Sequence, residues 1–234
     1  MKHGLFVIEG SRIISEALNA GAPIQKVFVT KIYLENPNYS KIFRDLQGLP
    51  IPNITITEDE MKILTEVTSP PGLLALCEIS PKPDPDTRKA ESWLYLDSIQ
   101  DPGNLGTLLR SAAWFGIPNV GLSKGCIDPY NPKVIRGGMG AHFHLSLFLD
   151  MDYRLFSTSS HTIIGAFPEG NALIPDILEE LGLWVLVIGN EAHGINSDLE
   201  YFIQKKVAIT KIGQGESLNA GVTGGILLYE LTQT

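Results

Sequence analysis

Three prolines in alternation, Pro81, Pro83 and Pro85, constrain this chain more than any other feature. Proline fixes φ and removes an amide donor, so this spacing forbids both a continuous helix and a paired strand. The run Ser80-Pro81-Lys82-Pro83-Asp84-Pro85-Asp86 therefore reads as an extended linker. It divides the chain into residues 1–80, a connector over 81–90, and residues 91–234. In the first part, Leu5–Ile8, Lys26–Val29 and Leu73–Glu78 are predicted strands. Ser11–Asn19 is a predicted helix closed by Gly21. That is a small α/β unit. In the second part, apolar strands at Trp93–Leu96, Val120–Leu122, Thr162–Phe167, Trp184–Gly189 and Lys206–Ile209 alternate with helices at Thr107–Phe115, Lys133–Met139 and Leu218–Leu231. Such alternation predicts a parallel α/β sheet covered on both faces. Ligands of these sheets sit beyond the carboxyl ends of the strands.

Three segments lie where that rule points. The first runs Asp97-Ser98-Ile99-Gln100-Asp101-Pro102-Gly103-Asn104-Leu105-Gly106-Thr107 and continues to Arg110. Asp101-Pro102-Gly103-Asn104 has the chemistry of a turn, with a helix expected from near Leu105. Leu105, Leu108, Leu109 and Ala112 then form its apolar stripe, and Arg110 falls off that stripe. The second is Val187-Ile188-Gly189-Asn190-Glu191-Ala192-His193-Gly194, an apolar strand entering a glycine-flanked turn. Glycine lets backbone approach a ligand closely, and a carboxylate at a strand end can hold a cation or a hydroxyl. The third is Ile209-Thr210-Lys211-Ile212-Gly213-Gln214-Gly215-Glu216-Ser217-Leu218-Asn219, with Ser217 the expected cap of the last helix. That helix carries Gly221, Gly224 and Gly225, each about 1 kcal/mol worse than alanine in a helix interior. Close approach of a cofactor or of a neighbouring helix would explain them equally well.

In this order, the three segments resemble the motifs of the SpoU-type branch of the SPOUT methyltransferases. The matching residues are Asn104-Leu105-Gly106-Thr107 through Arg110, then Gly189-Asn190-Glu191 with Gly194. They end with Glu216-Ser217-Leu218-Asn219 and Gly225-Ile226-Leu227-Leu228-Tyr229-Glu230. Phe6-Val7-Ile8-Glu9-Gly10-Ser11-Arg12, Glu16-Ala17-Leu18 and Ser69-Pro70-Pro71-Gly72-Leu73-Leu74-Ala75 are similar to that family's substrate-binding domain, itself like a small ribosomal protein. The resemblance implies an α/β fold whose C-terminal parallel-sheet domain holds a deep trefoil knot, preceded by a small α/β substrate-binding domain. It also implies a homodimer with an active site drawn from both subunits. The implied reaction moves a methyl group from S-adenosylmethionine to a ribose 2'-hydroxyl of RNA, rRNA before tRNA. A non-catalytic RNA-binding relative is the alternative.

By that resemblance Arg110 is the central catalytic residue, supported by Asn104, Glu191, Ser217 and Asn219. The cofactor is expected near Ile188, Gly189, Asn190, Ile209 and Leu218. Arginine keeps its proton far above neutral pH, which makes a neutral guanidine base scarce, so a charged Arg110 that stabilises negative charge on the attacking oxygen is the better assignment. Asn104 is expected to fix Arg110 or its loop, and Glu191 to orient Arg110 or a ribose hydroxyl. The chain departs from its relatives at Thr210-Lys211, where Pro-Met is usual, at Ala220-Gly221 for Val-Ser, and at Ala192 for glycine.

Composition narrows the rest. A formal charge of −8 argues against a protein that coats nucleic acid generally. Residues up to Pro85 hold 8 basic and 10 acidic side chains, and those after it 10 and 16, so neither part is basic. RNA binding must then rest on local positive charge, with Arg110, Lys124, Lys133, Arg136 and Arg154 as candidates. Two cysteines, Cys77 and Cys126, have no metal-ligand spacing and point to a reducing compartment. No signal pattern or membrane-length apolar run occurs, so a cytoplasmic location is expected. No metal is expected, since His142 and His144 alone do not make a zinc site. No Gly-x-Gly-x-x-Gly follows a first strand, which disfavours a dinucleotide-dependent oxidoreductase.

Overall fold

A computed structural model describes residues 4–37, 40–80, 84–172, 181–215 and 217–233. The middle of the proline run, residues 81–83, lies outside the described residues, as does Glu216 of the third segment. Two sheets flank the proline run.

The first sheet comprises β1 (Leu5–Glu9), β2 (Ile24–Thr30), β3 (Asn53–Ile56) and β4 (Leu73–Glu78) in the order β1-β4-β2-β3. β4 pairs antiparallel with β1 and β2, and β3 adds parallel to β2. Helices α1 (Ser11–Asn19), α2 (Lys31–Glu35), α3 (Ser40–Gln47) and α4 (Glu58–Leu64) connect these strands. α4 opens on a capping box in which Thr57 and Glu60 exchange hydrogen bonds, a signature present in the sequence as Thr-x-x-Glu.

The second sheet is wholly parallel. It contains β5 (Trp93–Leu96), β6 (Asn119–Leu122), β7 (Ser146–Phe148), β8 (Thr162–Asn171), β9 (Trp184–Ile188) and β10 (Lys205–Val207) in the order β10-β8-β9-β5-β6-β7. Every residue of β5, β6 and β9 is buried, as expected for strands covered on both faces. From β5 the chain first builds outward through β6 and β7, then returns to the other side of β5 with β8 to β10. The strand order therefore reverses between β5 and β9, and ligands of open parallel sheets favour the crevice at such a switch point.

Helices α5 (Pro102–Trp114), α6 (Pro132–Gly138), α7 (Ser197–Glu200) and α8 (Ala220–Leu231) complete this part. α5 starts three residues earlier than the turn chemistry suggested. Asp101 is its N-cap, accepting from the Asn104 amide at 2.7 Å, and Pro102 takes the first helical position, where no amide partner is needed. α8 starts later than expected. Asn219, not Ser217, is its cap and accepts from the Val222 amide at 3.2 Å.

α5 is clamped on both sides. A Cβ on Gly106 would lie 2.9 Å from the backbone of Gly137 in α6. A Cβ on Gly224 of α8 would lie 2.2 Å from Leu108, and one on Gly221 would lie 3.0 Å from Thr107. The glycines of the last helix are thus explained by close packing against α5.

The two parts share an interface at α6. Ile135 is buried within the first part's core, and Phe6 packs on Tyr130 at 5.0 Å between ring centroids. His142, in the turn after α6, is buried and donates through Nε2 to the Pro129 carbonyl at 2.8 Å. Burial pushes its pKa down from 6.5 to about 4, against the opposing effect of that hydrogen bond. The folded state therefore holds this imidazole neutral, whereas the unfolded chain protonates it below pH 6.5. Stability should fall as pH drops from 6.5 towards 4, by about 3 kcal/mol over the whole span at about 1.4 kcal/mol per unit. His142→Gln keeps a donor and does not titrate, so its urea midpoint should lose less between pH 7 and pH 5. An equal loss in both proteins would remove His142 as the cause.

Among the described residues, no helix is long and apolar enough to cross a membrane. No group of three or more His, Cys, Asp or Glu among them could hold a metal ion.

Candidate active site

Two of the three polar segments leave from β5 and β9, on either side of the switch point. The chain after β5 is held by Asp97, whose buried carboxylate accepts from the Asn196 amide at 2.7 Å and from the Ser123 hydroxyl at 3.1 Å. Asp97 thereby ties the loops after β5, β6 and β9 together. Sequence reasoning did not single it out. Its signal was a carboxylate closing a fully apolar strand, a position where burial demands several donors.

Gly189 follows β9 where the backbone doubles back. Asn190 and Gly194 exchange both of their backbone hydrogen bonds at 2.9 Å, closing a tight hairpin. A Cβ on Gly189 would sit 2.4 Å from the Gly194 carbonyl carbon, so no other residue fits. The Asn190 side chain accepts from the amides of Ala192 and His193 and donates to the Ser98 carbonyl at 2.8 Å. Asn190 is therefore engaged in holding the hairpin against the first segment. Ile188 is buried in the core beneath it.

The hairpin presents Glu191 to α5. Asn104, nearly buried, donates from Nδ2 to Glu191 Oε1 at 2.7 Å. Its Oδ1 accepts from Asn219 Nδ2 at 2.6 Å. Asn219 uses its remaining oxygen to cap α8. One residue from each of the three segments thus joins a single chain of hydrogen bonds, Asn219 to Asn104 to Glu191. The direction of each amide is fixed by its neighbours, because the carboxylate can only accept.

Arg110 does not join that chain. It lies six residues beyond Asn104 on α5, about 9 Å along the helix axis. The side chain is exposed and makes no hydrogen bond or ion pair among the described residues. Asn104 is bonded to Glu191 and Asn219 rather than to Arg110, and Glu191 faces Asn104 rather than Arg110. Ser217 is exposed and makes no hydrogen bond among the described residues. Ile209 is half-buried against the core, while Leu218 is 52% exposed and Ile212 96% exposed.

α5 and α8 pack side by side, and both expose apolar side chains. Trp114 on α5 is 82% exposed, and Val222, Ile226 and Tyr229 of α8 are also exposed. The Tyr229 ring lies 6.1 Å from that of Phe115.

Comparisons with known proteins match both parts of the chain. The SpoU rRNA Methylase family matches residues 91–229, and the MRM3-like substrate binding domain matches residues 1–75. The mitochondrial rRNA methyltransferase 3 of Xenopus tropicalis is 38% identical over 161 residues, covering 65% of this chain and 37% of the frog protein. This chain therefore spans well under half of that relative. The 23S rRNA (guanosine(2553)-2'-O)-methyltransferase of Bacillus subtilis is 29% identical over 233 residues, covering 98% of this chain and 89% of that protein. In fold, the SpoU methyltransferase AviRb from Streptomyces viridochromogenes, solved with AdoMet, superposes with a TM-score of 0.83 at 22% identity. That alignment covers 99% of this chain and 91% of AviRb. The family match takes in more than half of the chain and includes all three segments, and the chain belongs to the SpoU rRNA methylase family.

Proposed function

We propose that the chain transfers a methyl group from S-adenosylmethionine to a ribose 2'-hydroxyl of RNA, with rRNA the substrate before tRNA. The observation that carries this reading is the Asn219–Asn104–Glu191 chain, which gathers the three family segments at the switch point and leaves Arg110, on the same helix, without a partner among the described residues. The match of residues 1–75 to a substrate-binding domain and the Bacillus relative's activity on 23S rRNA favour rRNA.

The third segment suits the methyl donor. From Ile209 to Leu218, among the described residues, no backbone–backbone hydrogen bond is made, and apolar side chains such as Leu218 and Ile212 stand exposed. Such a loop offers backbone groups to the edge of an adenine and apolar cover to its faces. Gly189, Ile188, Asn190, Ile209 and Leu218 are the residues placed around it. The donor supplies an electrophilic sulfonium methyl. The protein must hold the ribose oxygen in line and stabilise charge as its proton leaves. Arg110, without a partner among the described residues, supplies the stabilising guanidinium. Glu191 has a second carboxylate oxygen with which to orient a ribose hydroxyl, while Asn104 and Asn219 hold it in place. Ser217 stands next to Leu218 and is assigned to organising the third loop.

The apolar surface on α5 and α8, made by Trp114, Val222, Ile226 and Tyr229, fits a second copy of the chain, since soluble monomers rarely leave such a patch uncovered. A dimer on this face places Arg110 at the interface. The same reading puts the protein in the cytoplasm, with no metal in the reaction.

The test is transfer of labelled methyl from the donor to rRNA and to tRNA, followed by alkaline hydrolysis. Methylated 2'-oxygens block strand cleavage, so label should appear in alkali-resistant dinucleotides, from rRNA foremost. Label on bases would overturn the reaction assigned here. No transfer to either RNA would favour a non-catalytic RNA-binding role.

A further inference from the structure

A cavity of about 380 Å³ lies between the two parts of the molecule, outside the three segments. One wall is the junction of β1 and α1, with Glu9, Gly10, Ser11 and Arg12. The other is α6 and its C-cap, with Arg136 and Met139. Two arginines, Arg12 and Arg136, therefore line one cleft, and neither makes an ion pair among the described residues. Arg136 Nη1 is shut off from solvent and finds no hydrogen-bond partner there. Glu9 is the one carboxylate among the lining residues, and its Oε2 already accepts from the Thr65 hydroxyl at 2.6 Å. Gly10 stands at the cap of α1 without a side chain to offer, so the first amides of that helix add donors to the same wall.

The walls are fixed relative to each other. Besides the Phe6–Tyr130 contact, His144 meets Glu16 of α1 at 2.8 Å. The opposite face of α6 packs through Gly137 on Gly106 of α5, between Asn104 and Arg110. The cleft is thus about one helix spacing, roughly 8–10 Å, from the helix that carries the proposed reacting centre.

We propose that this cleft seats a backbone phosphate of the RNA substrate, gripped by Arg12 and Arg136. Two planar forks with no carboxylate partner among the described residues match the oxygens of a phosphodiester, and a lysine point charge would not reproduce them. The chain's overall charge of −8 makes a local grip necessary. This inference rests on the reading of the chain as an RNA-modifying enzyme and names where the strand is held away from the reacting ribose.

The test titrates a labelled, short single-stranded RNA against the full chain over a range of salt concentrations. Wild type is compared with Arg12→Ala, Arg136→Ala, Arg136→Lys and the double alanine variant. Losing this one phosphate in the double variant should reduce the slope of log affinity against log salt by about 0.7, with the single variants between it and wild type, and the double variant should bind at least about tenfold more weakly at low salt. Arg136→Lys should restore the slope but not the full affinity. In methyl transfer, KM for RNA should rise while kcat at saturating RNA and donor affinity stay within about twofold. Arg12 is exposed, so Arg12→Glu provides a variant expected to fold even if changes at Arg136 do not. Unchanged affinity and slope in Arg12→Glu would overturn the proposal. If wild type still methylates RNA in that case, the proposed function stands and only this site is lost. A wild type that transfers no methyl, yet loses RNA binding on these substitutions, would keep the site and remove the reaction. Inorganic phosphate that stabilises wild type against heat as well as the RNA does, through the same arginines, would make this a free-anion site and overturn its assignment to RNA.

Discussion

Arg110→Ala should lower methyl transfer by at least about a hundredfold and leave donor affinity within about twofold. The magnitude follows from losing one preorganised charge aimed at a developing oxyanion, which typically removes a factor of 10² to 10³. The selectivity follows from position. Among the described residues, Arg110 makes no hydrogen bond or ion pair with the hairpin or the third segment, so the groups proposed around the donor should keep their structure without it. For the same reason, stability should change by no more than about 0.5 kcal/mol. Arg110→Lys should rescue little, because a compact ammonium does not copy the planar fork. Single-turnover transfer and calorimetric titration of the donor separate the two effects. An alanine variant with full activity would end Arg110's candidacy.

Gly189→Val should be the most damaging single change for the donor site. Its Cβ would fall 2.4 Å from the Gly194 carbonyl carbon and 2.5 Å from the Ile195 nitrogen, both backbone atoms with no rotamer to turn aside. The Asn190–Gly194 pairing must open, and Glu191 then moves away from Asn104. Overpacking of this kind costs about 1–3 kcal/mol of stability and occasionally more. Donor affinity should fall at least about tenfold, since the displaced hairpin forms one wall of the proposed pocket. Gly194→Ala is the control: φ there is +71°, but nothing among the described residues lies within 4 Å of the added carbon. It should cost only the left-handed strain, about 1–2 kcal/mol, with a smaller effect on the donor. Thermal melts and donor titration of both variants decide the matter. Donor affinity unchanged in Gly189→Val would contradict this placement.

The fold was legible wherever burial is continuous. β5, β6 and β9 are apolar at nearly every position, and such runs flanked by loops leave little choice but central parallel strands. Elements with weak patterns escaped. β3 is exposed along most of its length, and β7 is three residues at a sheet edge. The start of α5 misled because Asp-Pro-Gly-Asn suits a turn and a helix entrance equally, and only the Asp101–Asn104 bond distinguishes them. Gly221, Gly224 and Gly225 called for a close neighbour, and the choice between cofactor and helix needed the position of Leu108 and Thr107.

The site divides in the same way. Asn104, Glu191 and Asn219 were named through family resemblance, because their contacts span 87 and 115 residues and depend on a strand order that no local pattern encodes. Ser217 was misjudged as the cap because two capping residues lie within three positions, and the helix begins after the second. A knotted path likewise leaves no mark on periodicity and came from resemblance alone.

The most direct measurement is the position of the sulfonium methyl in a crystal of the chain with S-adenosylmethionine bound. The account expects the donor among the loops that follow β5, β9 and β10, with its methyl facing the guanidinium of an Arg110 from one protomer or its partner. A donor seated elsewhere, with every Arg110 in the assembly out of reach of the methyl, would contradict it.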